Sequence, residues 1–284
     1  MSEASGAAAG YRPAGTLSLR VEVRRQLRRR RTQLTLGFLA LLPLLLAGAF
    51  QLGSSNDNQG GAPGLVDLAT SGAANFTLFA LFASTGFLLV VVVALFAGDT
   101  IAAEASWSSL RYLLASPVPR SRLLLQKLLV ALGFSAFSLV LLPVASLLVG
   151  WAVFGWAPVR SPLGTSLSTP QAMLRLGIIV AYLAVALLFV AALAFLIGVY
   201  TDAPLGAVGG AVLLVIVSNI LDAVSALGSL RDLLPTHYQY AWVDALGPTV
   251  TWAGMARGAV SSLIYSTILL LFAWRHFLRK DILS

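Results

Sequence analysis

Six apolar runs leave this chain few alternatives. They cover about 34–52, 75–98, 123–154, 172–200, 205–227 and 255–274. In a helix, rising 1.5 Å per residue, about 20 residues cover the ~30 Å of bilayer hydrocarbon. Backbone polar groups in hydrocarbon must pair within their own segment, which favours helices. Of the 284 residues, 58% are hydrophobic and only 11% charged; soluble domains carry roughly 25% charged residues. The expected fold class is an all-α integral membrane protein with six transmembrane helices spanning 34–274.

The segments between the runs are distinct. Residues 1–15 are small and polar and read as a disordered tail. Residues 16–33 read as a basic amphipathic helix at the membrane interface, with Leu19, Val23 and Leu27 at i, i+4 and i+8 among seven arginines. The basic region is too long for a signal peptide, so the first run is a retained anchor. A polar loop follows at 53–74, and the sequon-like Asn75-Phe76-Thr77 at its end is assigned no role. Residues 155–171 form a second loop, and Thr201 to Pro204 a tight turn. Between Pro235 and Pro248, Tyr238 and Trp242 mark a short interfacial or re-entrant helix. The tail 275–284 is basic.

Charge sets the expected orientation. The formal net charge is +8. Fifteen of the nineteen Lys and Arg fall on the side of the termini and the 99–122 loop, while Arg160, Arg175, Arg231 and Arg257 fall on the other. By the positive-inside rule both termini and that loop are cytoplasmic, in a multi-pass protein of the cytoplasmic membrane. The basic balance thus has a topological reading, and no nucleic-acid partner is expected.

Chemistry within the chain is not expected. There is no cysteine, and His237 and His276 stand far apart, so neither a disulfide nor a metal site is read. No catalytic residues are assigned, and no phosphate-binding GxxxxGK[ST] loop occurs. Ionisable groups within the runs are nearly absent, which speaks against a proton relay.

The stretch Asp99–Lys127 organises the chain. Trp107, Leu110 and Leu114 share one helical face, while Glu104, Ser108 and Arg111 share another. Pro117 ends the expected helix over 99–116, and Arg120, Arg122 and Lys127 follow. Glu104, Leu110, Leu113, Leu114, Pro117, Arg120 and Lys127 stand in the order and spacing of the first cytoplasmic loop of type-2 ABC exporter permeases, which this stretch resembles. Ser108 and Ser109 occupy that loop's Gly-Thr positions, and Pro119 replaces its usual Ser.

The resemblance implies a transmembrane permease subunit without a cofactor of its own. It would work as a pair, a homodimer on the simplest expectation, with two copies of an ABC ATPase subunit that bind ATP and Mg. It makes the 99–116 segment a coupling helix, with Glu104, Trp107, Leu110, Arg111 and Arg120 contacting the ATPase. It also brings the second and fifth spans to the dimer seam. There Phe79 and Phe82 would border a path for a lipophilic substrate moved by alternating access.

The residues themselves leave alternatives open. Gly206 and Gly210 have the GxxxG spacing of close helix approach and are read as dimer packing. Asn219 and Asp222 stand either on a substrate path or at the interface with headgroups and water. His237 reads as an interfacial histidine. Rival functions are an ion- or proton-coupled secondary transporter, and a non-transporting membrane enzyme or structural subunit.

Overall fold

The computed structural model describes residues 19–53, 65–106, 120–160 and 166–279. Its helices are α1 (Leu19–Leu27), α2 (Arg30–Gly53), α3 (Leu65–Thr70), α4 (Ala73–Thr85), α5 (Leu88–Ser106) and α6 (Arg120–Phe154). After a two-residue antiparallel ribbon, β1 (Val159–Arg160) with β2 (Ser166–Leu167), come α7 (Thr169–Ala186), α8 (Leu188–Tyr200), α9 (Pro204–Ala223) and α10 (Trp252–Arg279). Between α9 and α10 lie two 3-10 segments, Ser225–Leu233 and Ala241–Leu246.

Among the described residues, five helical stretches are long and apolar enough to cross a membrane: Arg30–Gly53, Ser121–Phe154, Thr169–Tyr200, Pro204–Ala223 and Trp252–Arg279. The fourth run of the sequence corresponds to α7 and α8 together. The second run is broken: α4 and α5 meet at a 59° bend, and they supply a sixth crossing if the pair is one span. The chain is a multi-pass, almost entirely helical membrane protein.

Local chemistry explains several boundaries. Pro204 opens α9 in its first turn, where a missing N–H costs nothing. Ser168 and Gln171 form a capping box before α7, satisfying donors that helix starts leave free. The expected fifth span ends at Ala223 rather than Leu227. Val224 leaves helical geometry (φ −80°, ψ 101°), and Gly228 follows with a positive φ of 52°.

The core is built around α5, which packs on α8, α9 and α6, while α10 covers α8 and α6 receives α2 and α4. Small residues set the closest approach. A Cβ added at Gly198 would lie 2.5 Å from the Gly98 carbonyl oxygen, and one at Gly98 would lie 3.3 Å from the Ala207 Cβ. These contacts belong to α8, α5 and α9 of one chain. Gly210, read as a dimer residue, faces Ile197 Cδ1 of the same chain at 3.6 Å, and Gly206 lies on the exposed side.

A prediction follows at the closest approach of a glycine to neighbouring backbone. Gly198→Ala forces α5 and α8 apart against backbone, an overpacking that costs about 1–3 kcal/mol. Gly133→Ala on α6, with nothing within 4 Å of the added carbon, should be neutral or better. Thermal unfolding of the purified variants checks this; equal midpoints for the two would show that α5 and α8 do not touch there.

Other expectations are revised. The 99–116 stretch does not begin a new helix, because α5 runs without interruption through Asp99 to Ser106. Residues 107–119 lie outside the described residues. The expected interfacial helix 16–33 is α1 followed by a break at Arg28 and Arg29, and α2 starts four residues before the predicted span. Its apolar residues Leu19, Val23 and Leu27 are exposed, whereas Glu22 and Gln26 are buried. The 53–74 loop contains α3, and the predicted short helix around Trp242 is a 3-10 turn.

Candidate functional site

At one end of the bundle, charged side chains tie α1 and α2 to α5 and α6. Lys127 on α6 donates to Glu22 of α1 at 2.6 Å, with side-chain exposures of 1% and 8%. Asp99 on α5, also buried, accepts from Arg29 at 3.4 Å and from Arg31. Burying these charges is tolerable because each carries an opposite partner at close range. Asp99 and Lys127 stand inside α5 and α6, on either side of residues 107–119 in the sequence. The arginine-rich N-terminal segment therefore holds the two helices that lead into and out of that stretch. Trp107, Leu110 and Arg111 lie outside the described residues, as do the side chains of Glu104 and Arg120.

At the other end, the segment 234–248 enters the bundle instead of lying on it. Trp242, in the segment read as interfacial or re-entrant, is 1% exposed and joins the main core. Irregular backbone at membrane depth requires partners, and neighbouring helices supply them. Arg175 of α7, itself buried, donates through one nitrogen to the carbonyls of Ala245 (2.9 Å) and Gly247, and through the other to Pro248 (3.1 Å). Tyr182 donates to the Tyr238 carbonyl at 2.5 Å, and the Ser218 and Thr236 hydroxyls are 2.7 Å apart.

The same segment fills the break between α4 and α5. Gln239 Nε2 donates to the Thr85 carbonyl at 2.6 Å, a group that the bend frees from its helix. A Cβ on Gly86 would lie 2.5 Å from the Tyr240 hydroxyl, so glycine makes room for that tyrosine. Burial raises the Tyr240 pKa, opposed by a backbone hydrogen bond with Gly86. The bend is therefore a docking point for the segment between α9 and α10.

Beside this junction lies an apolar cavity of about 130 Å³, lined among others by Leu78, Phe79, Phe82, Trp242, Val243 and Leu246, with Asn75 and Arg160 also contributing. It is close to the ~150 Å³ at which an apolar cavity stays dry and accepts a benzene-sized ring. Phe82 meets Tyr240 with centroids 5.2 Å apart and Trp242 at 6.2 Å. The Trp242 indole N–H has no partner among the described residues. Asn75 exchanges two hydrogen bonds with the Arg160 backbone, at 2.8 and 3.0 Å, which fastens the ribbon to α4. It is buried and unavailable as a glycosylation acceptor.

The candidate path residues thus separate. Phe79 and Phe82 come together at the cavity; Asn219 and Asp222 do not line it. Asp222 ends α9 and meets His237 Nδ1 at 2.5 Å, while His237 Nε2 faces Asp232 at 3.2 Å. Among the described residues, no cluster of three or more His, Cys, Asp or Glu has the arrangement of a metal site.

Sequence reasoning overlooked Glu22, Arg175, Tyr182 and Gln239 as partners. The available signal was their isolation: Glu22 is a lone carboxylate among arginines, and Arg175 a lone cation near the start of an apolar run.

No curated protein matches this chain. Residues 55–283, most of its length and including both the bent pair and the inserted segment, match the family described as "Protein of unknown function (DUF2705)", and the chain belongs to that family.

Proposed function

We propose that this chain is the permease subunit of an ATP-driven exporter of the type-2 ABC class. In this reading it has six spans, with the α4–α5 pair as the second, and both termini in the cytoplasm. The observation that carries the reading is the bracing of the two helices that flank residues 107–119. Asp99 on α5 and Lys127 on α6 are ion-paired to the N-terminal segment, so a push delivered between them passes into α5 and α6 as rigid bodies. That is the mechanical requirement on a loop that receives motion from a separate ATPase. The resemblance of Glu104 through Lys127 to the first cytoplasmic loop of such permeases supports the same reading.

The mechanism is alternating access without covalent chemistry in this chain. Two copies pair, and two ATPase subunits bind ATP and Mg. Closure of the ATPase dimer moves the loop, the loop moves α5, and α5 changes its angle to α4 at the Gly86 bend. The bend lies beside the cavity that holds Phe79 and Phe82, so motion there opens or closes an apolar compartment suited to a lipophilic substrate.

The test is at the loop. Trp107→Ala removes an aromatic anchor, a change that often costs ~2 kcal/mol or more at an interface, roughly thirtyfold in affinity. Co-purification of the ATPase subunit and substrate-stimulated ATP hydrolysis should both fall, with membrane insertion unchanged. Glu104→Ala should act in the same direction, more mildly at a solvated rim. Full association and full stimulation in both variants would remove the coupling role and with it this function.

A further inference from the structure

A second concave surface, sharing no lining residue with the cavity described above, lies along α10. It is a groove of about 580 Å³, walled by Asp232, Leu233 and Tyr238 on one side and by α10 on the other. Its volume falls in the ~300–1,000 Å³ range of ligand sites. On α10 the lining residues include Arg257, Val260, Ser261, Ile264 and Ile268, one helical face read at steps of three, four and seven.

The groove is polar at one end and apolar at the other. Arg257 and Asp232 supply the charge, and Ser261 a hydroxyl. Val260, Ile264 and Ile268, all exposed, continue from there toward the middle of α10. From Arg257 to Ile268 is about 16 Å along the axis, close to half of the ~30 Å hydrocarbon, which is one leaflet. Arg257 makes no hydrogen bond or ion pair among the described residues. Among the described residues, Asp232 meets His237 Nε2 through one oxygen, and its side chain is 55% exposed. The wall itself is fixed, since the Tyr265 hydroxyl donates to the Leu233 carbonyl at 2.6 Å.

We propose that this groove holds one phospholipid whose headgroup ends in a primary amine, with its phosphate on Arg257, its ammonium on Asp232 and one acyl chain along Val260, Ile264 and Ile268. A guanidinium suits a phosphate through paired N–H donors. A carboxylate beside it favours a headgroup carrying both signs over one that is only negative. A primary ammonium can donate hydrogen bonds to Asp232, and a trimethylammonium cannot. The tail needs an apolar strip one leaflet long, which this face of α10 provides. The inference stands apart from the transport reading, because it depends neither on residues 107–119 nor on an ATPase.

Native mass spectrometry of the delipidated full-length protein, mixed with equimolar phosphatidylethanolamine, phosphatidylglycerol and phosphatidylcholine, tests it. The ethanolamine lipid should be retained in preference to both others. Arg257→Gln should lower its retention about fivefold, the upper end for one exposed ion pair. Asp232→Asn should remove the preference over phosphatidylglycerol. Ile264→Trp fills the tail strip and should lower retention with both charged residues intact, which separates groove occupancy from headgroup contact. Equal retention of the three lipids by the unaltered protein, or unchanged retention in both Arg257→Gln and Ile264→Trp, overturns the proposal. So does efficient disulfide formation between copies of Ile264→Cys in membranes, because this face would then seat a second chain.

Discussion

Lys127→Met should destabilise the protein more than any other single change at the end of the bundle that carries the N-terminal segment. The Lys127 and Glu22 side chains are 1% and 8% exposed and 2.6 Å apart. Removing one partner of such a pair leaves a buried charge uncompensated, at a cost of about 3–5 kcal/mol. Arg25 does not rescue it, at 3.9 Å from Glu22 and on the solvated side. The cost has a ceiling. α1 is a short surface helix, and once its grip costs more than its release, it lifts and returns Glu22 to water. Lys127→Met should therefore appear as a lower unfolding midpoint together with faster amide exchange over 19–29. Glu22→Leu combined with Lys127→Met should recover most of the loss, since replacing a buried pair by apolar residues is often neutral or stabilising. If the single variant matched the unaltered protein in both measurements, the pair would not hold α1 in place. The functional reading would then lose one of the two ion-paired anchors that brace α5 and α6.

The fold class was legible because membrane burial writes itself in run length. Each of the six apolar runs contains helix in the structure. What failed was continuity. The run 75–98 carries no proline, yet it breaks at Gly86, because Tyr240 occupies the space beside that glycine and Gln239 takes up the freed carbonyl of Thr85. Both partners lie more than 150 residues away in sequence, beyond the reach of any periodicity. The reverse error occurred at Asp99. A polar residue after an apolar run reads as a helix end, but Asp99 continues α5 because Arg29 and Arg31 neutralise it.

Site residues were legible to the extent that their role is local. Phe79 and Phe82 share a helical face of one run, and both line the cavity. The sequence left the segment around Trp242 open between an interfacial and a re-entrant placement, since amphipathic aromatics in short polar segments usually sit at the interface. Trp242 is buried because the segment around it has its carbonyls satisfied from α7, which lets the whole turn leave water. The charge count assigned Arg175 to the side opposite the termini, yet gave it no role beyond topology. Its three acceptors are contributed by a segment about 70 residues later. A guanidinium can hold several carbonyls with no carboxylate present, and no sequence pattern marks such acceptors.

Arg175→Leu should release that segment. The side chain is 9% exposed and spreads its donors over the carbonyls of Ala245, Gly247 and Pro248. Hydrogen bonds from a charged group contribute about 1.5–3 kcal/mol each, and a buried acceptor left without a donor costs about 1–3 kcal/mol. Pro248 is exposed and can turn its carbonyl to water, whereas Ala245 and Gly247 are buried. The loss therefore rests mainly on two acceptors, for roughly 3–5 kcal/mol in all. Arg175→Lys keeps the charge but not the planar fork, so it should recover only part of the difference. The chain has no cysteine, which allows a direct readout. A cysteine placed at Ala245, fully buried in the unaltered protein, should resist a thiol reagent there and react readily when combined with Arg175→Leu. Release would also withdraw Gln239 from Thr85 and Tyr240 from Gly86, leaving the carbonyl of Thr85 unsatisfied at the α4–α5 bend. The bend should then relax or unfold locally, read as faster amide exchange over 82–90. If Ala245→Cys stayed protected and the bend kept its exchange rate in the Arg175→Leu background, the segment would be held by Trp242 packing and by the Tyr182, Ser218 and Thr85 hydrogen bonds, and Arg175 would carry no more than its topological charge.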